Sequence, residues 1–495
     1  MMPLPKVCLT LTAPTIAEDI ALARKYATLA DIVELRADRL APTETAGIAS
    51  FPAAAGIPAI LTVRRVRDGG AWPDADNASR TRLLEALPAF AYVDLESDFA
   101  SPQLERLAAS SGTRVIRSVH RFDGFYKSEA ASIDSICRSS DEIPKLAFMP
   151  QSLGDIADFQ RIASTLPKRD RIFCAMGPLG AVTRIIPGAF GSFLTFASPP
   201  EALASMAGIG HIDIVRLHEV FRVRNISPAT RLCGVTGWPL AVTSSPELHR
   251  RMCDRDGIDS VMIPLPSRDI GETVALAELL GFKGLAVTVP HKEALLPLLD
   301  EISPEAAAIG AANTVVWRGG RRIGHNTDIG GFAKAIADFA GRGNLAGMRA
   351  AMIGSGGAAR GVACALSRLG ASVSIYARNA AKAHEIASLF GFAEHPLSEI
   401  GGAGPFDLVV QCTSVGNGSE RKEDDPAPDF RFTGRELVYD LVYKPPVTPF
   451  LARARDAGCR IQSGMSMLEA QAEIQHRLMH ADVLSGCSGG SNAVE

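Results

Sequence analysis

"IPKLAFMPQS" occupies residues 143–152. Leu146-Ala147-Phe148-Met149 reads as a buried strand, yet Lys145 stands at its start, directly after a proline. A lysine taken out of water loses hydration, which favours a neutral amine able to attack a carbonyl and form an imine. The plainer reading is a strand-end lysine whose ammonium reaches back to solvent.

Seven similar apolar runs surround this one. They are "KVCLTLT" (6–12), "IVELR" (32–36), "AILTVR" (59–64), "AYVDLE" (91–96), "RVIRSVH" (114–120), "RIFCAMG" (171–177) and "GSFLTF" (191–196), with "PKLAFMP" (144–150) as the sixth of eight. Stretches such as "IAEDIALARKYATLA" and "SRTRLLEALPAF", apolar at helical spacing, lie between them. Eight strand–helix units predict a (β/α)8 TIM barrel over residues 1–222. An open doubly wound sheet is the alternative, but this half has no glycine-rich phosphate loop. Barrel enzymes place their chemistry at the C-terminal strand ends. Here those ends carry Glu34, Arg36, Arg64, Glu96 and His120. Amine, imidazole and the guanidiniums of Arg36, Arg64 and Arg184 at one mouth suggest imine chemistry on a small anionic carbonyl compound. Taken singly, each is as readily a structural histidine or a surface ion pair.

The bulk numbers agree with a multidomain enzyme. The chain has 495 residues, 47% apolar and 21% charged, with a net charge of -3. That length suits two to four domains. With no basic excess there is no electrostatic case for nucleic acid or an anionic membrane. No apolar run is long enough to span a bilayer, and the N-terminus lacks a secretory pattern. The nine cysteines are dispersed, with no C-x-x-C pair, as expected of free thiols in the cytoplasm.

The pattern lapses at "RVRNISPATRL" (222–232), so a linker is expected at 223–231. Beyond it, "LAGMRAAMIGSGGAARGVACALSRLGASVSIYARN" (345–379) reads strand, glycine turn, helix, strand. Glycines there let a backbone approach a pyrophosphate at a helix N-terminus. The same turn without a ligand is the bland reading. The next strand ends at Arg378, not at an acid, which suits the 2′-phosphate of NADP, and Lys382 follows. The run "SERKEDD" (419–425) reads as a solvated loop, and the tail 486–495 as disordered.

Two resemblances now join these readings. "VELRAD", "VRRVRDGG", "VDLE", "RSVHRF", "IPKLAFMPQS" and "GAFGSFLTF" resemble the type I 3-dehydroquinate dehydratases over residues 6–220. The resemblance implies a Schiff base at Lys145, with His120 as general base and acid and Glu34 orienting it. It also implies substrate contacts from Arg36, Arg64, Arg184 and Ser205. Asp68 stands where the family has glutamate, and Ile209 where it has the lid glutamine.

Over roughly 231–480, "GWPLAVTSSP", "GLAVTVPHK", "GAANTVV", "GHNTDIGG" and the glycine turn resemble the shikimate dehydrogenases. That implies Lys292 and Asp328 as the catalytic pair. Substrate contacts would come from Thr243, Ser245, Thr288, Asn313, Tyr443 and Gln471. NADP would meet Gly354, Gly356, Gly357 and Ala358 at its phosphates, and Arg378, Asn379 and Lys382 at its 2′-phosphate. Thr413, Ser414, Gly464 and Met467 would flank the nicotinamide. Thr243, Trp238, Arg250 and Ala377 depart from the family's usual residues. The implied layout is a substrate domain over 232–335 plus 465–485 and a Rossmann domain over 336–464, with no metal.

Together the halves imply consecutive steps, from 3-dehydroquinate to 3-dehydroshikimate and then shikimate. One rival is a quinate-preferring, NAD-dependent second half. Another is a metabolite-sensing regulator without chemistry; it predicts damage at Lys145, His120, Lys292 or Asp328, and all four are present. Oligomeric state is not legible from these motifs.

Overall fold

The computed structural model describes residues 5–240, 243–418 and 423–487. The chain forms two compact units, one of residues 1–250 and 259–282, the other of 251–258 and 283–495. This division runs elsewhere than the expected domain boundaries.

In the first unit, β1 (Lys6–Leu11), β2 (Ile32–Arg36), β3 (Ala59–Thr62), β4 (Tyr92–Glu96), β5 (Arg114–Arg121), β6 (Ile143–Phe148), β7 (Ile172–Ala175) and β8 (Leu194–Ser198) are parallel. β1 lies between β2 and β8, so the sheet curls on itself. Phe193 N–H donates to Arg171 O at 2.9 Å across the remaining gap between β7 and β8. A short β9 (Ile212–Asp213) adds beside β8.

Closure is also visible in the core. Cys8, Ile32, Ile60, Tyr92, Ile116, Ile143, Ile172 and Leu194, one residue from each strand, form one buried cluster that Phe196 joins from above. Side chains on a strand return to the same face every second residue. Two residues on from that apolar layer stand Thr10, Glu34, Thr62, Asp94, Ser118, Lys145, Cys174 and Phe196. Two further on stand Arg36, Arg64, Glu96, His120, Ala147 and Met176. The barrel interior is therefore tiered: apolar at the bottom, mostly polar in the middle around Lys145, with Arg36, Arg64 and His120 towards the mouth. Outside it, Phe148, Phe159, Phe173 and Phe190 interlock between barrel and helices, with ring centroids 5.0–5.7 Å apart.

The expected linker is tied to the barrel: Arg224 pairs with Asp31 at 2.9 Å and donates to Thr28 O. Beyond it, β10 (Arg231–Gly237) pairs in parallel with β11 (Ser260–Pro266). The helix Ile270–Leu279 packs on the barrel helix Leu153–Thr165, where Ser152 donates to Glu272 at 2.9 Å. These contacts place 231–250 and 259–282 with the barrel.

The second unit holds two sheets. β12 (Gly284–Val287) is antiparallel to β14 (Thr314–Arg318), which forms a hairpin with β15 (Arg321–His325), and β13 (Glu301–Ile302) lies parallel to β15. The other sheet is wholly parallel. It contains β16 (Arg349–Ile353), β17 (Ser372–Ala377), β18 (Ala393–Pro396), β19 (Leu408–Gln411), β20 (Leu437–Asp440) and β21 (Arg460–Ser463), in the order β18-β17-β16-β19-β20-β21. That is the doubly wound dinucleotide fold, whose strand order reverses between β16 and β19. The helix Met465–Met479 packs on Asp328–Ala340, and Gly331 allows it: a Cβ there would lie 2.6 Å from that of Gln471.

Residues 486 and 487, expected in the disordered tail, close the helix Ala481–Cys487. The remaining tail, 488–495, and 419–422 of the charge run lie outside the described residues. Among the described residues, no helix is long and apolar enough to cross a membrane.

Candidate active sites

The barrel mouth opens on a cavity with about 540 Å³ of empty space, open solvent included, lined by Lys145, His120, Glu34, Arg36, Arg64 and Arg184, among others. All six come from the tiers described above or from the helix after β7.

Lys145 is only 5% exposed, yet it does not sit in oil. Its Nζ donates to Asp94 Oδ2 at 2.8 Å and lies 4.5 Å from the Phe196 ring centroid. Asp94 also takes the Arg64 guanidinium at 2.6 Å and the Ser118 hydroxyl at 2.6 Å. Arg64 reaches on to Glu96 at 3.0 Å and Ser118 at 2.9 Å. Burial alone would raise the Asp94 carboxyl. The Arg64 guanidinium and Lys145 ammonium overrule it and hold Asp94 well below the usual carboxylate range.

His120 pairs in register with Ala147 on β6, two positions beyond the Ser118–Lys145 pair. Burial, then the cations Arg64 and Lys145, push its pKa well below the ordinary imidazole value, against the pull of Asp94. Its buried Nδ1 has no hydrogen-bond partner among the described residues. Glu34 does not reach it. The Glu34 carboxylate is taken by the hydroxyls of Thr10 and Thr62, each at 2.9 Å. A neutral imidazole thus stands in the cavity with one nitrogen uncommitted.

Arg36 is held in bidentate fashion by Asp38, at 2.9 and 2.8 Å. Arg184 donates to Ile209 O at 2.7 Å, and its buried Nε has no partner among the described residues. Asp68 lines the mouth and accepts from Arg65 at 2.7 Å. Ser205 is exposed and bonds Ala202 O at 2.8 Å; in the turn Leu203–Met206 it is Met206 that faces the cavity. His211 also lines the cavity and was not anticipated. Burial, then Arg184 and Arg36, lower its pKa well below the ordinary value. Asp94 was missed too, although its signal is plain in retrospect. In "YVDLE" it alternates with Glu96 on the inward face.

The second unit carries an open cleft with about 1650 Å³ of empty space. Along it lie Lys292, the loop Gly354–Ala358, Arg378, Asn379, Lys382, Thr413, Ser414 and Tyr443. Gly354 ends β16 with φ +106°, and a Cβ there would meet Thr413 Cγ2 at 2.7 Å. The loop therefore sits against β19 at the strand-order reversal. Gly357 opens the 12-residue helix Gly357–Arg368, and no side chain caps its N-terminus. At Gly356 and Gly357 nothing lies within 4 Å of where a Cβ would project. Uncapped N–H groups, a bare cradle and two exposed cations fit a dinucleotide bearing an extra phosphate. Asn379 spends its carboxamide oxygen capping the next helix, accepting from Lys382 N–H at 3.0 Å.

Lys292 Nζ lies 2.5 Å from Asp328 Oδ2, both side chains largely buried. Asp328 is the first residue of the helix Asp328–Ala340, and its N–H donates to Asn326 Oδ1. Beneath this pair runs a buried amide–hydroxyl network. Asn313 Nδ2 donates to Thr327 Oγ1 at 3.0 Å, and Thr327 Oγ1 donates to Gln471 Oε1 at 3.0 Å. Gln475, not anticipated, donates to Thr314 Oγ1 at 3.0 Å. Thr288 follows β12 directly, where its carbonyl accepts from His291 N–H. Gly464 precedes the helix Met465–Met479, and Met467 packs in the core against the parallel sheet. Thr243 and Ser245 lie in the first unit, where Thr243 Oγ1 accepts from Ser245 N–H at 3.2 Å and starts the helix Ser245–Asp256.

Comparison with known proteins agrees on both halves. Residues 7–228 match the family described as type I 3-dehydroquinase, and 235–315 the shikimate dehydrogenase substrate binding domain. A shikimate dehydrogenase (NADP(+)) of Geobacter metallireducens is 38% identical over 265 residues, covering 50% of this chain and 91% of the relative. The chloroplastic bifunctional 3-dehydroquinate dehydratase/shikimate dehydrogenase of Arabidopsis thaliana is 28% identical over 471 residues, 91% of this chain and 77% of the relative. The solved dehydroquinate dehydratase and shikimate dehydrogenase from S. pombe AroM spans 97% of this chain and 96% of its own, at 23% identity and a TM-score of 0.43. The chain belongs to the type I 3-dehydroquinase family in its first half and to the shikimate dehydrogenase family in its second.

Proposed function

We propose that the chain dehydrates 3-dehydroquinate at the barrel and reduces the resulting 3-dehydroshikimate to shikimate, with NADPH, in the second unit. The observation that carries this reading is a lysine paired with a carboxylate at the centre of each site, Lys145 buried and Lys292 largely so, each within 2.8 Å of its partner.

At the barrel Lys145 Nζ attacks the substrate ketone, and loss of water leaves an imine. The protonated imine draws electrons from the neighbouring carbon, so a base can remove its proton. His120 is the base: it is neutral, half-buried, and has a buried, uncommitted Nδ1. The proton it takes then accompanies the departing hydroxyl as water, and hydrolysis of the imine restores Lys145. Asp94 holds the lysine in line throughout. Arg64 and Arg184 face the substrate carboxylate and hydroxyls, with Arg36 fixed by Asp38.

In the second unit Lys292 donates a proton to the carbonyl oxygen and stabilises its developing charge, while Asp328 positions the ammonium. NADPH supplies the hydride when bound. Gly354, Gly356, Gly357 and Ala358 would cradle its pyrophosphate, and Arg378, Asn379 and Lys382 would hold its 2′-phosphate. Thr413, Ser414, Gly464 and Met467 form the nicotinamide end. Asn313, Thr288, Tyr443 and Gln471 contact the substrate. The functional division follows 1–222 for the dehydratase, 223–231 as linker, 232–335 plus 465–485 for the reductase substrate, and 336–464 for the cofactor. Among the described residues eight of the nine cysteines are free, which supports a cytoplasmic setting.

The test is a coupled assay from 3-dehydroquinate, following NADPH consumption, with Lys145→Ala and Lys292→Ala. Each variant should lose its own step and keep the other. Borohydride added with dehydroquinate should trap an adduct on the wild type and none on Lys145→Ala. An equal adduct on both proteins, or NADH consumed as fast as NADPH, overturns the corresponding assignment.

A further inference from the structure

Cys253, His476 and His480 converge in the second unit, away from the residues assigned above. One donor atom from each lies within 4.8 Å of the others, and all three side chains are buried. The two histidines are four residues apart at the end of the helix Met465–Met479, so both imidazoles leave the same face. Their ring centroids are 4.8 Å apart, inclined at 63°. Cys253 comes from the helix Ser245–Asp256, over two hundred residues earlier in the chain.

Asp256, one turn beyond Cys253, lies with Oδ2 2.9 Å from His476 Nε2. Arg255 fixes that carboxylate at 2.7 and 2.8 Å and reaches Glu473 at 2.9 Å. With Nε2 donating to Asp256, Nδ1 is the nitrogen that would carry a metal. A carboxylate behind a histidine sets the tautomer and raises the ring's basicity, the usual outer shell of a metal-bound imidazole.

We propose that Cys253, His476 and His480 form a structural zinc site. One thiolate and two imidazoles are a soft-to-borderline donor set, suited to zinc and poor for magnesium or calcium. Donors on a tetrahedral zinc stand about 3.3–3.8 Å apart, so side-chain rotation of roughly 1 Å completes the triad. The fourth position goes to water. The ion ties the end of the helix that carries Met467 and Gln471 to the segment 251–256.

The probe is the full-length chain, stripped with a chelator, reloaded with zinc chloride and desalted. Elemental analysis should find about one zinc per chain, falling at least fivefold in Cys253→Ser and His480→Ala but not in Cys459→Ser. Cobalt chloride in place of zinc should give a thiolate charge-transfer band and tetrahedral d–d bands. That measurement needs only the wild-type chain, so a misfolded variant does not blunt it. Wild type that retains no zinc, cobalt without a thiolate band, or variants that hold as much zinc as wild type each overturn the site.

Discussion

Asp94→Asn removes one buried charge and strands another. The Asp94 carboxylate is 1% exposed and accepts from Lys145 at 2.8 Å, Arg64 at 2.6 Å and Ser118 at 2.6 Å. The amide keeps the shape but turns NH2 donors toward a cation. Arg64 still has Glu96 at 3.0 Å, whereas Asp94 is the only carboxylate that pairs with Lys145 among the described residues. Breaking a buried ion pair by removing one partner costs about 3–5 kcal/mol. With Arg64 still half paired, the lower end applies, about 3 kcal/mol. For a unit of this size that is roughly 6–12 °C in Tm. The sign with pH follows from the depressed Asp94 pKa. A carboxyl held below its unfolded value contributes stability that is complete above about pH 4 and is lost as pH falls further. Calorimetry should therefore show the full deficit at pH 7 and a narrowing gap below pH 4. Adding Lys145→Met should restore much of the loss, because the stranded charge goes with it. A variant melting within 1 °C of wild type at pH 7, or a double mutant no better than Asp94→Asn, refutes the reasoning.

Other outcomes follow from the same geometry. Because burial and two cations lower the His120 pKa, the acid limb of the dehydratase kcat/KM profile should fall below pH 6.5; a limb at or above that value contradicts a neutral base. Gly354→Ala places a Cβ 2.7 Å from Thr413 Cγ2 at φ +106°, strain of about 1–3 kcal/mol, so the KM for NADPH should rise about tenfold while dehydratase activity is unchanged. Arg378→Ala should narrow the NADPH-over-NADH ratio by about 1.5–3 kcal/mol, read as kcat/KM with each cofactor. Burial pushes the fully enclosed Asp19 up to about 7 while Ala13 N–H still reaches its Oδ1. An acid raised in the folded state costs stability increasingly from about pH 4 to 7. Asp19→Asn should therefore be more stable than wild type at pH 8, by on the order of 2–4 kcal/mol, and match it near pH 4.

The chain's own order of residues determined the tiers of the barrel. Strand side chains alternate with period two, so "IVELR" alone dictates that Ile32, Glu34 and Arg36 stack on one face, and "IPKLAF" that Ile143 and Lys145 do. It likewise dictated the glycine turn before Gly357, since only residues without a Cβ leave that helix N-terminus bare. What such local periodicity could not reach is which tier members touch. Asp94 and Lys145 are 51 residues apart on strands separated by β5, and only closure of the barrel turns both into one shared interior. The same holds for Glu34, whose carboxylate went to the hydroxyls of Thr10 and Thr62 on the two flanking strands and not to His120. His211 reached the mouth through the turn after β8, and Cys253 met His476 and His480 through helix packing. Spacing along a strand or helix is fixed by backbone geometry within a few residues. Pairing between distant elements is set by register, closure and the search of each buried polar group for a partner, which only the assembled core resolves.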